Sequence, residues 1–205
     1  MMKKEVWMVA ILVLVATISA GLLGFVNVTT RPIIEKNELR KLRESVLDSI
    51  KVDYNQDNLE DKFTSEIKTK TIDGKEIFFR YNDEGKLTAV AFEVTGSGFQ
   101  GPISGLISLK PNLETIIGLE MLSQQETPGL GARITEEWFL KQFNGKKIKP
   151  ELKIVKNPGD AINKVDAITG ATRTSKAIQG LINDDVKHVR NKILTDKVME
   201  GFRNE

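Results

Sequence analysis

The longest uncharged run of the sequence lies near its N-terminus and most constrains how the chain folds. The 21 residues from Val6 to Val26 contain no charged side chain. A helix of that length spans about 31 Å, which matches the hydrocarbon thickness of a bilayer. We therefore expect residues 6–26 to form one transmembrane helix that anchors the chain in the lipid bilayer.

A cleaved signal peptide is the alternative, because Lys3 and Lys4 form a basic start and Ser19-Ala20 supplies small residues. The apolar core of a signal peptide is usually about 7–15 residues, shorter than this run, so a retained anchor is favoured. Basic residues flank the run on both sides, and the positive-inside rule does not decide its orientation. A short cytoplasmic head with an exported C-terminal domain is compatible with this pattern.

The composition excludes several kinds of chemistry. The chain has no Cys and one His, which excludes disulfides, thiolate zinc sites, Cys-ligated iron–sulfur clusters and multi-His metal sites. The 30 Lys and Arg nearly balance the 28 Asp and Glu, so no strong field points to nucleic acid. We expect no metal site, no catalytic residue and no nucleic-acid partner, and any chemistry must come from a bound group.

The region after the anchor predicts a helix followed by a linker. Pro32 predicts a break or kink, and the polar stretch from Asp53 to Asp61 predicts the linker. Between them, apolar residues recur at three- and four-residue spacing, as in an amphipathic helix; they are Leu39, Leu42, Val46 and Ile50. We divide the chain into an anchor (1–27), a juxtamembrane helix and linker (28–62), and a C-terminal domain (63–205).

The C-terminal domain begins with a strand pattern. Five segments with strand-like sequence are separated by short turns; they are EIKTKTI, EIFFRYN, KLTAVAFEV, PISGLISL and ETIIGLEML, between residues 65 and 123. A short helix is predicted over Thr135 to Phe143, a further strand over Leu152 to Val155, and a long helix from Thr174 onward. The predicted fold is α+β, an antiparallel sheet flanked by helices, with one N-terminal transmembrane helix.

Two glycine-bearing segments interrupt this pattern. The run from Gly96 to Gly101 matches G-x-G-x-x-G, but Pro102 and a strand follow it, whereas a dinucleotide-binding loop must open a helix. A bulge or loop against a ligand is the better interpretation. In the second segment, Glu126 to Gly131, Pro-Gly predicts a type II turn, and a purely structural turn is favoured when it is taken alone.

The third segment, Asp166 to Thr174, runs directly into the long helix. Gly170 and its small neighbours leave space around the Thr172 hydroxyl, and the free N–H groups of the coming helix favour an anion, helped by Arg173. A phosphate group suits this place. The alternative is an ordinary helix cap, which Thr169, Thr172 or Thr174 could provide.

These three segments, in this order behind one N-terminal anchor, resemble the FMN-binding domain family. Its members include the G subunit of Rnf electron-transport complexes and the C subunit of sodium-translocating NADH:quinone reductases. The most specific element is D-x-x-[ST]-G-A-T, here Asp166 to Thr172, which in the family is recognised by a flavin transferase that esterifies the last Thr with FMN. The E-T-P-G-L-G segment is the family's second signature, and Gly-Ser-Gly-Phe-Gln-Gly-Pro resembles its third.

The resemblance implies that FMN is bound covalently, through its phosphate, to Thr172. It implies that Thr169, Gly170 and Ala171 shape the phosphate turn and that Arg173 and Thr174 contact the phosphate. The flavin ring would rest on the second segment, against Glu126, Thr127, Gly129 and Leu130. Asp166 would belong to the recognition motif of the transferase.

The resemblance also implies a partner complex. The short chain is more similar to the Rnf subunit, a single-pass protein of the cell (inner) membrane with its flavin domain on the extracytoplasmic side. Its partners would be other membrane and iron–sulfur subunits of an ion-translocating ferredoxin:NAD oxidoreductase, with a flavin transferase for maturation. Three alternatives stay open: the C subunit of the quinone reductase, a membrane-anchored flavin redox sensor, and an assembly subunit without flavin.

Overall fold

The longest element is helix α1, Met2–Ile50, in a computed structural model that describes residues 2–82 and 84–195. The chain divides into two units, Met1–Lys41 and Leu42–Glu205, and α1 contributes to both. The stretch Lys3–Ile50 contains a window that is long and apolar enough to cross a membrane, by length and composition. The apolar side chains of residues 6–26 are exposed on the helix, as a lipid-facing segment requires.

The break predicted at Pro32 is wrong, because α1 continues through this residue. Proline removes one backbone donor from a helix, but the neighbouring turns retain other contacts here. The hydroxyl of Thr30 donates to the carbonyl of Val26 (2.8 Å), and Arg31 pairs with Glu35 (2.9 Å) across the proline. Good helix formers on the C-terminal side then carry the helix to Ile50.

The C-terminal end of α1 packs on the domain through Val46, Leu47 and Ile50, which are buried, with Leu42 packed at the edge of the same cluster. Helix α2, Leu59–Glu66, begins inside the stretch that the sequence predicted as a linker. The turn before it is closed by Asn55 and Asn58, because each backbone N–H donates to the side-chain oxygen of the other (2.7 and 2.9 Å). The irregular connection is therefore shorter than predicted.

A five-stranded antiparallel sheet forms the centre of the domain, with neighbouring strands in sequence order. The strands are β1 Ile67–Ile72, β2 Lys75–Tyr81, β3 Leu87–Ser97, β4 Pro102–Leu109 and β5 Ile116–Ser123. All five predicted strands are present, and the α+β class with an antiparallel sheet is confirmed. Tight turns join most neighbours, since an antiparallel pair needs only a short connection.

Both faces of the sheet are buried, because side chains alternate between them along each strand. On β2, Ile77 and Phe79 face one cluster and Phe78 the other. The register aligns Ile77 with Phe92 and Phe92 with Ile107, which builds a continuous apolar row across three strands. One cluster includes residues from the C-terminal helix, and the other is completed by α1 and α2.

The remaining described elements pack on the first of these clusters. They comprise a 3₁₀ turn at Gly131–Thr135, α3 Glu137–Lys141, β6 Lys153–Val155, β7 Lys164–Asp166, α4 Thr172–His188 and a π-helical turn at Val189–Ile193. The predicted short helix, strand and long helix are present, with α4 starting two residues before the predicted Thr174. Strand β7 pairs in parallel with β6 and was not predicted, since three residues carry too little periodicity.

Gly118 on β5 gives a test of how α1 docks on the sheet. A Cβ at Gly118 would collide with the backbone carbonyl of Ser49 on α1, and the Ser108 hydroxyl donates to the same carbonyl. We expect Gly118→Ala to lower the free energy of unfolding by about 1–3 kcal/mol, because neither backbone can move away cheaply. Chemical denaturation of the detergent-solubilised protein, followed by near-ultraviolet circular dichroism, measures this change.

The matched control is Gly180→Ala, in the interior of α4, where a Cβ meets no atom within 4 Å. Alanine is a better helix former than glycine, so this variant should be more stable by about 0.5–1 kcal/mol. Equal stability of Gly118→Ala and the unmodified protein would show that α1 does not dock through Ser49.

Candidate functional site

The carboxylate of Glu126 joins the three glycine-bearing segments. Its Oε1 accepts hydrogen bonds from the backbone N–H groups of Phe99 (2.7 Å) and Gln100 (3.0 Å). Its Oε2 accepts a hydrogen bond from the Thr174 hydroxyl (2.7 Å), and both side chains are buried. One carboxylate thus fixes the loop of residues 98–101, the loop of residues 126–131 and the first turn of α4 against each other.

Burial and hydrogen bonding act in opposite directions on Glu126. Burial raises the pKa of its carboxyl, but hydrogen bonds from the Gln100 N–H, the Thr174 hydroxyl and the Phe99 N–H together hold the pKa below its ordinary value. These donors favour the charged form, so the side chain is a carboxylate at neutral pH. Its charge is directed at the loops that it joins.

Two glycines make this arrangement possible. A Cβ at Gly131 would lie 2.6 Å from both Glu126 Oε2 and Thr174 Oγ1, and a Cβ at Gly98 would collide with Glu126 Oε1. The G-x-G-x-x-G run lies in the hairpin between β3 and β4, closed by a hydrogen bond from the Gly98 N–H to the Gly101 carbonyl (2.8 Å). As the sequence predicted, this run does not open a helix.

The loop of residues 126–131 contains the predicted Pro-Gly turn. The Leu130 N–H donates to the Thr127 carbonyl (3.1 Å), and Gly129 has the positive φ of 74° that a type II turn requires. Gly170, at φ 82°, lies beside Leu130, and a Cβ there would be 3.2 Å from Leu130 Cδ2. The second and third segments are therefore in contact.

Helix α4 begins at Thr172 with its first turn open. Ala171 occupies the N-cap position, so no side chain of the cap residue bonds to the N–H groups of the first turn. The predicted alternative of a threonine cap is therefore wrong: the Thr174 hydroxyl donates to Glu126, while Thr169 and Thr172 are exposed. The first helical turn leaves backbone N–H groups available to an anion.

These segments surround a cavity of about 300 Å³, at the lower end of the range for small-molecule sites. Its lining contains Phe99, Glu126, Thr127, Leu130, Gly131, Lys156, Gly170, Ala171, Thr172, Arg173 and Thr174. Phe99 and Leu130 are about half exposed and supply apolar surface. The Arg173 guanidinium lies 4.8 Å from the centre of the Phe99 ring, which holds a positive charge at the rim.

Eight of the residues predicted from the sequence line this cavity, and three do not. Thr169 is exposed and does not line the cavity. Gly129 forms the Pro-Gly turn next to the lining residue Leu130. Asp166 is the third residue outside the lining. The carboxylate of Asp166 accepts a hydrogen bond from the Asn157 N–H (3.1 Å), so it acts on a neighbouring loop.

Sequence reasoning missed three lining residues. Phe99 and Gly131 lie inside two of the glycine-bearing segments, so their place in these motifs could have predicted that they line the cavity. Lys156 follows β6 and belongs to no motif. The pairing of β6 with β7 and the hydrogen bond of β6 to α4 bring it to the cavity.

Larger cavities lie elsewhere, for example one of about 540 Å³ beside β2 and the C-terminal end of α4 and one of about 590 Å³ beside α2 and β1. Both are lined mainly by polar and charged residues and include none of the three glycine-bearing segments, so the cavity of about 300 Å³ is the candidate site. In residues 2–82 and 84–195, no cluster of three or more His, Asp or Glu side chains is placed to hold a metal ion.

The fold and the site together define a small-molecule-binding α+β domain that follows an apolar N-terminal helix. Residues 98–187, which contain all three segments except the first two residues of the glycine run, match the family described as the FMN-binding domain. The similarity covers every residue of the cavity lining. The lining fits FMN, because it combines apolar surface from Phe99 and Leu130 with the open, cationic first turn of α4, which suits a phosphate.

Relatives of the chain belong to two kinds of complex. It is 33% identical over 111 residues to the C subunit of the Na⁺-translocating NADH-quinone reductase of Neisseria meningitidis, a match covering 51% of this chain and 43% of the relative. It is 32% identical to the G subunit of the proton-translocating ferredoxin:NAD⁺ oxidoreductase complex of Clostridium ljungdahlii, a match covering 60% of this chain and 64% of the relative. The G subunit of the ion-translocating oxidoreductase complex of Vibrio cholerae is 29% identical, covering 87% of each chain.

Two crystal structures share the fold. NqrC of Shewanella oneidensis superposes with a TM-score of 0.70 at 19% identity, covering 83% of this chain and all of that one. The C subunit of the Na⁺-translocating NADH-quinone reductase of Parabacteroides distasonis gives a TM-score of 0.67 at 27% identity, covering 78% of this chain and 94% of that one. Both support an antiparallel α+β domain of this type.

The charge of Glu126 predicts a pH-dependent stability. Because the pKa of this carboxyl is lower in the folded state, its contribution is present above the ordinary carboxyl pKa of 4.5 and is lost as the pH falls through the folded value. We expect Glu126→Gln to lower the free energy of unfolding by about 2 kcal/mol at neutral pH, with the difference shrinking below pH 4.5. Chemical denaturation over a pH series measures it.

Glu76→Gln, at an exposed position on β2, is the matched control and should stay within about 0.5 kcal/mol of the unmodified protein at every pH. A destabilisation of Glu126→Gln that does not change with pH would contradict the role of a buried charge.

Proposed function

We propose that the protein is a membrane-anchored flavoprotein subunit that carries FMN as a phosphoester of Thr172 and relays electrons within an ion-translocating ferredoxin:NAD oxidoreductase of the Rnf type. The observation that carries the proposal is the position of Thr172. Its hydroxyl group is on an exposed residue, at the open first turn of α4, beside a cavity that the three family motifs build.

Three threonines compete for the modification, and the geometry favours Thr172. Thr174 is buried and its hydroxyl donates to Glu126, so it is not free to react. Thr169 is exposed but lies before the Gly170 turn and outside the cavity lining. Thr172 begins α4, where backbone N–H groups and the Arg173 side chain stabilise the negative charge of a phosphoester.

The sequence Asp166-Ala167-Ile168-Thr169-Gly170-Ala171-Thr172 supports the same residue, since it is a complete acceptor motif for a flavin transferase. Esterification joins the Thr172 oxygen to the phosphorus of FMN, and the hydroxyl proton leaves with the group that is displaced from this phosphorus. A phosphoester needs neither a thiol nor an imidazole from the protein, which suits a chain with no Cys and one His.

The bound flavin supplies one- and two-electron redox chemistry, and the protein supplies attachment, orientation and electrostatic environment. Phe99 and Leu130 offer apolar surface to the ring. Thr127 accepts a hydrogen bond from the Gln100 side chain (2.6 Å), which ties the two loops beside it. We assign no catalytic residue, because the subunit transfers electrons to neighbouring centres.

An Rnf-type complex is favoured by how much of the relatives is matched. The G-subunit relative of Vibrio cholerae is matched over 87% of its length, whereas the chain spans less than half of the reductase subunit of Neisseria meningitidis. We place the protein in the cell (inner) membrane, crossing once through residues 6–26, with its flavin domain on the extracytoplasmic side. A span without charges offers no ion path, so ion transport belongs to other membrane subunits.

The second candidate is the C subunit of a sodium-translocating NADH:quinone reductase. It is supported by the two crystal structures that share the fold, both of which are subunits of that kind. A membrane-anchored flavin sensor is a third candidate, but residues 2–82 and 84–195 contain no further folded unit beyond α1 and the flavin domain.

The covalent link predicts a fluorescent band that depends on one hydroxyl. After co-expression with a flavin transferase and denaturing electrophoresis, the unmodified chain should fluoresce under ultraviolet light and Thr172→Ala should not. Thr69→Ala removes an exposed threonine hydroxyl on β1, outside the acceptor motif, and should keep the band. A fluorescent Thr172→Ala, or a dark unmodified chain, would show that the covalent assignment is wrong.

Membership in an Rnf-type complex predicts which partners are recovered with the protein. Purification of the full anchored chain from its native membranes should bring polytopic and iron–sulfur subunits, and reduced ferredoxin should reduce the flavin of this complex in the presence of those subunits. Reduction by NADH, with no response to ferredoxin, would favour the quinone reductase. Recovery of the chain alone would contradict a place in either complex.

A further inference from the structure

We propose that Lys156 is a second cation for the phosphate of FMN, beside Arg173, and that Asp166 is the positioning residue that holds it there. This inference rests on the proposed flavin site and assigns a role to a residue outside the sequence motifs. Lys156 lines the same cavity as Thr172, although it precedes it by sixteen residues.

The path of β6 along α4 explains how Lys156 reaches the site. The Leu152 N–H donates to the Asn183 side chain (3.0 Å), and the Ile154 N–H donates to the Gln179 side chain (2.7 Å). Two residues of a strand span about 6.6 Å, and four residues of a helix span about 6 Å. Each two residues of this segment therefore run about one turn along α4, towards its N-terminus. Two residues further, Lys156 lies beside the first turn of α4.

Asp166 fixes the backbone immediately after Lys156. Its carboxylate accepts a hydrogen bond from the Asn157 N–H (3.1 Å), and Asn157 has a positive φ of 50°, which asparagine adopts more readily than most non-glycine residues. The Ala167 N–H extends the β6–β7 pairing by donating to the Val155 carbonyl (3.0 Å). The backbone is therefore held on both sides of Lys156, at Val155 and at Asn157.

The charges around the cavity explain why a cation is needed there. The carboxylate of Glu126 is bonded to two backbone N–H groups and one hydroxyl, so its oxygens are directed at the loops. Lys156 and Arg173 are the other ionisable residues of this lining, and the Arg173 guanidinium stacks on Phe99. A phosphate at the start of α4 is stabilised by a compact ammonium group that the flexible lysine can bring to it.

The test compares FMN with riboflavin, which lacks only the phosphate. The full chain is expressed without a flavin transferase, purified in detergent and titrated with each ligand by flavin fluorescence. We expect Lys156→Gln to weaken FMN binding about tenfold and to leave riboflavin binding unchanged, since a charge-assisted contact to phosphate is lost. Lys153→Gln replaces an exposed lysine on β6, outside the cavity, and should change the affinity for neither ligand.

The role of Asp166 is tested by a double-mutant cycle. Asp166→Ala should weaken FMN binding in the unmodified chain and add nothing further in Lys156→Gln, because it acts through that lysine. Asp166→Asn keeps an acceptor for the Asn157 N–H and should restore most of the affinity. Thermal unfolding of each variant separates this effect from loss of folding, and Lys156 is exposed, so its substitution should not change the unfolding temperature.

Three outcomes would overturn the inference. Equal FMN affinity of Lys156→Gln and the unmodified chain would remove Lys156 from the site while leaving the flavin proposal intact. Equal weakening of FMN and riboflavin would show that Lys156 does not act on the phosphate. An unmodified chain that binds neither ligand would contradict the flavin site itself, and this inference with it.

Discussion

The candidate site depends on one buried carboxylate. Glu126 accepts hydrogen bonds from the loop between β3 and β4 and from the first turn of α4, which lie 26 to 48 residues away in the sequence. Without these bonds, the three segments would have no common partner. Gly98 and Gly131 are needed because the carboxylate occupies the space of a side chain. The cavity is thus a consequence of this interaction, built on a rigid sheet.

The same arrangement explains what the site is able to bind. Its polar groups are backbone donors, hydroxyls, two cations and the Glu126 carboxylate, whose oxygens are bonded to the loops, and its apolar groups are exposed at the rim. Such a lining can hold an anionic, aromatic molecule but has no residue suited to donate or accept electrons by itself. The match of residues 98–187 to the FMN-binding domain family and the lack of Cys agree with a protein whose redox chemistry belongs to a bound flavin.

Local patterns predicted most of the fold. The strands are short runs rich in apolar residues and bounded by turn residues, and α4 repeats its apolar face over several turns, so both leave a clear local pattern. Pro32 misled the prediction because neighbouring contacts keep α1 continuous. Strand β7, Lys156 and the partners of Glu126 depend on long-range pairing, which no local pattern records. The motifs identified the segments, and only the structure showed how they meet.

The most direct test of this account is tandem mass spectrometry of the peptide of residues 165–173, which trypsin releases after Lys164 and Arg173. This peptide contains both Thr169 and Thr172, so its fragments distinguish the two hydroxyls. We predict the mass of FMN less one water on Thr172, in protein matured by a flavin transferase. An unmodified peptide, or the added mass on Thr169, would contradict the account.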